Sequence, residues 1–158
     1  MNRATVDALS ESESKSPNGK YHFFRKNLSQ AVGGKKDIGT WGGGHSFDVE
    51  MYRIPSGAEN FPFHAHAAQS EMYIFVSGCG SVRGPSEKCD VKGGDFMMFS
   101  PGEAHSIANT GDDDLVFYVI ADNPQADVIS YPDTGKWMVK PERRCFTMQE
   151  TEYYEKGD

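Results

Sequence analysis

The sequence predicts an all-β fold closed into a barrel, and three observations carry the prediction. From Ser46 onward, short runs of strand-forming residues recur about every ten positions, separated by Gly, Pro, Ser and Asp. Within those runs apolar and polar residues alternate, as on a half-buried strand. No stretch of helical period competes, and about eight strands closing on themselves remove the exposed edges that invite association.

The elements follow in order. Residues 1–20, rich in Ser, Glu, Asn and Pro without a hydrophobic period, read as a mobile leader. Residues 21–45 hold an outer strand from Tyr21 to Leu28 and a connection broken by Gly39 and Gly42-Gly43-Gly44. Those glycines precede a strand and contain no G-x-G-x-x-G unit, so they carry no dinucleotide reading. Residues 46–121 are the barrel core. Phe47, Val49 and Met51 alternate with Ser46, Asp48 and Glu50 until Pro55-Ser56-Gly57, and taking the apolar parity as inward places Arg53 at the inward end. Strands follow at Met72–Val76, in a Ser81–Val91 hairpin turning at Gly84-Pro85-Ser86, at Phe96–Phe99, at His105–Ala108 and at Leu115–Ala121. Residues 122–158 contain Pro124, Pro132 and Gly135, which exclude a long helix. Tyr131 and Trp137 are costly to leave in water, so this tail is expected to pack on the barrel, with its end from Arg143 loosely attached.

Composition narrows the function. A chain of 158 residues fits one domain with a sizeable core. Its net charge of -7, from 23 acidic and 16 basic residues, repels phosphate backbones and argues against a nucleic-acid partner. The longest apolar run, Leu115–Ala121, is far short of a membrane span, and the N-terminus lacks a signal-peptide core, so the expected location is cytoplasmic. Cys79, Cys89 and Cys145 show no C-x-x-C spacing and are expected as free thiols; Cys79 and Cys89 flank the hairpin, and their pairing stays open.

The chemistry concentrates in Phe63-His64-Ala65-His66, Glu71 and His105. On a strand, residues i and i+2 share a face, so His64 and His66 project together. Three imidazoles and a carboxylate suit one divalent first-row metal: Fe, Mn, Co, Ni, Cu or Zn. The stretch from Gly57 through His64, His66 and Glu71 to Gly78, followed by Gly94-Asp95 through Pro101-Gly102 to His105 and Asn109, resembles the two signatures of the cupin superfamily. A Tyr131-Pro-Asp-Thr-Gly-Lys136 tail resembles a group of small bacterial single-domain cupins. The resemblance implies a double-stranded β-helix, a cupin barrel of jelly-roll kind with terminal extensions. It assigns His64, His66, Glu71 and His105 as ligands, with open metal positions as in a catalytic site. Two turns depart from the commonest spacing: six residues separate Gly57 from His64, and Ser100 stands before Pro101-Gly102.

Strand parity adds a lining. Tyr73 and Phe75 share parity with Glu71, and Asn109 with His105. Arg53, Tyr73, Phe75 and Asn109 are therefore candidate substrate contacts, with Arg53 the expected anchor for an anionic ligand, and Tyr73 and Glu103 candidate acid–base groups. Barrel core is the competing role for the aromatics, turn formation for Asn109 and a rim ion pair for Arg53. His22 and His45 lie outside the motifs and read as solvent or turn histidines. Small cupins are commonly dimers, so a homodimer is expected, with Tyr21–Phe24 as a packed or swapped edge. Because cupins host many activities, three functions follow: a metal-dependent enzyme of isomerase type acting on a sugar, sugar phosphate or organic acid; a non-haem iron dioxygenase, its phenylalanines suiting an aromatic ring; and a metabolite-binding module without turnover.

Overall fold

The structure is a computed structural model and describes residues 1–154. In chain order the strands are β1 (Ser12–Lys15), β2 (His22–Asn27), β3 (Phe47–Ile54), β4 (Ala65–His66), β5 (Glu71–Ser77), β6 (Cys79–Arg83), β7 (Lys88–Lys92), β8 (Phe96–Phe99), β9 (Ser106–Asn109), β10 (Leu115–Asp122), β11 (Asp127–Tyr131), β12 (Lys136–Lys140) and β13 (Arg144–Thr147), with one helical turn, α1 (Leu28–Ala31), after β2. One sheet runs β1-β2-β3-β10-β5-β8; two smaller ones run β13-β12-β11-β4 and β7-β6-β9. The smaller sheets meet at a single bridge, where the His64 amide donates to the His105 carbonyl at 3.1 Å and the His105 amide donates back at 2.8 Å. They thus form one wall facing the six-stranded sheet, and the fold is a double-stranded β-helix. Among the described residues no helix is long and apolar enough to cross a membrane.

The core is organised by β10, which lies between β3 and β5. Its inward residues form cross-strand rows: Phe117 beside Tyr52 and Phe75, Val119 beside Glu50 and Tyr73, Ala121 beside Asp48 and Glu71. In the first row Tyr52 stacks on Phe117 with centroids 5.6 Å apart, and Phe75 lies 5.5 Å away. Ile54, Val82, Ile107 and Leu115 close around them, all fully buried. Each such side chain contributes about 1.5–3 kcal/mol by leaving water. Gly78 permits the tight passage from β5 to β6: its φ is 81°, and a Cβ there would sit 2.4 Å from the Asp114 carbonyl oxygen.

Three expectations need correction. The inward residues of β3 are Asp48, Glu50, Tyr52 and Ile54, all buried, whereas Phe47, Val49, Met51 and Arg53 stand on the outer face. Apolar parity misled because that outer face is itself covered: Val49 lines a cleft with Val6, Leu9, Leu28 and Val32. Arg53 lies over the Phe24 ring at 4.0 Å and pairs with Glu11 and Asp114 at 2.8 Å each, so it is no anchor for a ligand in the barrel. The leader also differs from expectation. Ser12–Lys15 pairs with β2 as the sheet's edge strand, and Lys26 Nζ donates to the Val6 carbonyl at 3.0 Å. The backbone hydrogen bonds of an edge strand compensate for its lack of apolar side chains. Finally, the end of the tail is not loosely attached as far as Thr147: β13 pairs with β12, β12 with β11, and β11 with β4, placing Ile129 opposite His66. Tyr21 bridges Glu59, and β2 lies between β1 and β3.

Candidate metal centre

His64 and His66 sit at the short strand β4, and Glu71 begins β5 on the opposite sheet. The nearest ligand atoms of these three residues all lie within 4.8 Å of one another. His105 immediately precedes β9 and faces the same point, its Nε2 3.1 Å from Glu71 Oε2. His66 Nε2 lies 3.8 Å from Glu71 Oε1. All three histidines are buried. The site thus straddles the two walls, with imidazoles from one and the carboxylate from the other.

Each ring is oriented through its other nitrogen. His64 Nδ1 donates to the Pro62 carbonyl at 2.8 Å and His105 Nδ1 to the Glu103 carbonyl at 3.1 Å. His66 Nδ1 donates to Asp127 Oδ2 at 2.5 Å, and Asp127 Oδ1 accepts the Ala68 amide at 2.8 Å. Carbonyls cannot donate, so the proton resides on Nδ1 and the Nε2 lone pairs converge on Glu71. Lone pairs facing an anionic carboxylate call for a cation between them, and three imidazoles with one carboxylate fit a divalent transition metal. Carboxylate–histidine pairing of the His66–Asp127 kind fixes ring orientation and raises ligand basicity.

Electrostatics favour the ligand state. Burial, reinforced by the neighbouring His105, lowers the His64 pKa to about 4, so its lone pair is free at neutral pH. Burial raises the Glu71 carboxyl; a hydrogen bond and charge from His105, with charge on His66 and His64, bring it to about 2 when those rings carry the positive charge, and a cation held by their Nε2 lone pairs exerts the same pull. Burial likewise opposes ionisation of Asp127, and its hydrogen bonds from His66 and Ala68 prevail, leaving it lowered. Tyr73 is pushed well above the usual phenol range by burial and then by the Glu71 charge; it stays protonated and donates to Glu71 at 3.0 Å.

The metal end opens into a cavity of about 200 Å³. Val119, Ala121 and Ile129 supply its apolar surface, Tyr52, Phe61 and Tyr131 its rings, and Arg25, Lys36, Asp37, Asp48, Glu50 and Lys140 its charged wall. Ala121 makes the room: it is the smallest residue of its row and separates Asp48 from Glu71. Of the residues expected to contact substrate, Tyr73 lines this cavity. Phe75, 1% exposed, belongs to the core. Asn109 holds a turn, donating to the carbonyls of Ile54 and Asp113 and accepting the Gly111 amide. Glu103 is exposed and accepts the Ser100 amide at 2.6 Å, outside the cavity. His22 pairs with Glu13 in the edge strands. Sequence reasoning missed Asp127, Glu50 and Tyr52. One signal was available: Glu-Met-Tyr occurs at 50–52 and again at 71–73, on the two strands that flank β10.

Residues 50–121 match the cupin domain family model. They form a cupin domain. The matched stretch contains His64, His66, Glu71 and His105. An oxalate-binding protein from Thermotoga maritima is 32% identical over 68 residues, 43% of this chain; the match spans 55%, about half, of that relative's length. Two crystal structures share the cupin fold. A provisionally named sugar phosphate isomerase from Acidithiobacillus ferrooxidans superposes with a TM-score of 0.79 at 22% identity, covering 96% of this chain and 93% of that one. A sugar phosphate isomerase of the cupin superfamily from Silicibacter pomeroyi gives 0.74 at 19% identity, over 91% and 90%.

Proposed function

We propose that this protein is a metal-dependent cupin enzyme that interconverts carbonyl and hydroxyl positions of a small sugar or sugar phosphate. One observation carries the reading: three imidazoles, each anchored through Nδ1, present Nε2 toward Glu71 at one end of a cavity whose other wall is charged. A divalent transition metal held by His64, His66, Glu71 and His105 would supply Lewis acidity toward a carbonyl–hydroxyl pair. The chain does the rest. Asp127 and the Pro62 and Glu103 carbonyls keep the rings oriented. Tyr73, protonated, donates to Glu71 and fixes its rotamer. Moving a proton between adjacent carbons needs an ionisable group on the substrate's far side, and Asp48 and Glu50 line that wall. Tyr131, its ring 6.1 Å from that of His64 and nearly parallel to it, offers a face for a sugar ring. The names of the two structural neighbours accord with this substrate class.

A second reading, a binding module without turnover, is favoured by the oxalate-binding relative. The aromatic argument for a dioxygenase is weaker than the sequence suggested, because Phe75 and Phe117 fill the core and do not line the cavity.

Elemental analysis of the purified protein, followed by anaerobic turnover on a panel of sugars and sugar phosphates, tests the proposal. The expected result is about one Mn, Ni, Co or Zn per chain and product formation lost in His64→Ala/His105→Ala. Metal with ligand retention and no product would support the binding module. Iron with oxygen uptake would support the dioxygenase.

A further inference from the structure

The cavity wall remote from the metal gathers cations. In a chain with only 16 basic residues and a net charge of -7, Arg25, Lys36, Lys140 and Arg143 all line one cavity. They converge from three segments: β2, the connection before β3, and the end of β12 with the turn after it. Arg25, Lys36 and Lys140 are partly buried, at 27%, 21% and 15% exposure by side chain, and Arg143 is half exposed. Taking cations out of water in this number calls for an anion.

Two carboxylates fill that role, and they do so differently. Glu50 is fully engaged: Tyr52 donates to it at 2.7 Å, Asn27 at 2.8 Å and Lys36 at 2.5 Å. Its place in β3 is fixed by pairing on both sides. Asp37 is held by two cations and, through its amide, by Asp48 Oδ2 at 2.9 Å. It lies in the connection before β3, its φ is 55°, and its carboxylate meets Lys140 Nζ at 3.4 Å and also pairs with Arg143. A residue with a Cβ occupies that left-handed region only where its surroundings hold it there. Lys140 is already divided, donating to Gln69 Oε1 at 3.0 Å as well.

We propose that this wall is the subsite for the phosphate end of the substrate, and that Asp37 is a resident stand-in which the phosphate displaces from Lys140 and Arg143. The proposal rests on the reading of the cavity as a sugar-phosphate site. Phosphate suits the position because it offers several acceptor oxygens and more charge than one carboxylate, and an arginine fork meets it bidentately. Lys140 stands opposite Asp127, the residue that orients His66, so a phosphate held there leaves the attached sugar within reach of the metal ligands. The anchor expected at Arg53 is thereby relocated to the other side of β3.

Calorimetric titration of metal-loaded and metal-free protein with ribose 5-phosphate, ribose, inorganic phosphate and oxalate tests this. Asp37→Asn removes the competitor and should tighten ribose 5-phosphate and inorganic phosphate by about three- to tenfold, whereas Lys140→Met should weaken both by about tenfold or more. Ribose should respond to neither substitution. Arg143→Gln, at a half-exposed position, replaces Lys140→Met if that variant loses its fold. The same pattern in metal-free protein with inorganic phosphate supports the subsite even if no metal-dependent turnover is ever found. Turnover with phosphate affinities that ignore Asp37 and Lys140 overturns the subsite and leaves the enzyme reading standing. Oxalate binding that requires metal and ignores both variants fits the proposal, and oxalate binding that follows the phosphate pattern overturns the assignment of this subsite to phosphate.

Discussion

At one end of β10 the inner face carries Ala121 between Asp48 and Glu71; four residues away it carries Phe117 between Tyr52 and Phe75. The strands, the pairing and the sheet are the same at both ends. At the aromatic end, large rings fill the space between the walls, and within that row the side-chain polar atom is the Tyr52 hydroxyl, which reaches Glu50. At the acidic end, a methyl group leaves a cavity, and of the two carboxylates beside it Glu71 faces imidazoles, while Asp48 accepts the Asp37 amide through Oδ2 and leaves Oδ1 buried without a hydrogen-bond partner. The difference teaches that function here is made by withdrawing volume from one row of a regular sheet, with stability concentrated in the rows next to it.

That contrast can be broken most forcefully at the aromatic end. Phe117→Ala removes a fully buried ring and should lower unfolding free energy by about 3–5 kcal/mol in urea melts, while the folded protein still binds metal in full. Loss of metal at full stability would mean that the two ends are not separable. At the acidic end, Asp127→Asn keeps the shape of the side chain but removes its charge. Metal affinity, measured by competition with a chelator, should fall about 10–100-fold, with a much smaller change in melting temperature. An unchanged affinity would show that His66 needs no carboxylate behind it. The smallest effect belongs to the outer face: Arg53→Met should cost less than about 1 kcal/mol, since its partners are partly exposed, and should leave every ligand affinity unchanged. A large loss of ligand binding in that variant would return Arg53 to the cavity.

Much of this was legible in the residues. The strand pattern from Phe47 to Asp122 and its turns follow from alternation and from Gly and Pro, because local geometry dictates both. His64, His66 and Glu71 come together because spacing on strands fixes side-chain direction. The inner face of β3 was not legible, because hydrophobicity reports burial without saying which cover does the burying: Val49 is shielded by the N-terminal segment and α1, and Glu50 by a cavity. Asp127 was hidden for another reason. Its role arises only when β11 pairs with β4, a contact between distant segments that no local pattern encodes. The leader was misjudged because composition ignores backbone pairing, and β1 is held by its register with β2.

The hydrogen bond between His66 and Asp127 joins residues 61 positions apart. A chain made from its N-terminus exposes His64 and His66 long before their partners exist. Glu71 follows soon, His105 later, and the group that orients His66 last of all, after the strand β10 that splits the large sheet. At ordinary synthesis speeds of about 5–20 residues per second, the nascent chain spends several seconds with an incomplete ligand set. A cation arriving in that interval meets two mobile imidazoles and a carboxylate in water, a weak and unselective trap. Any cation this cluster takes would therefore be selected after closure of the sheet, by a finished cage and not by a growing polymer.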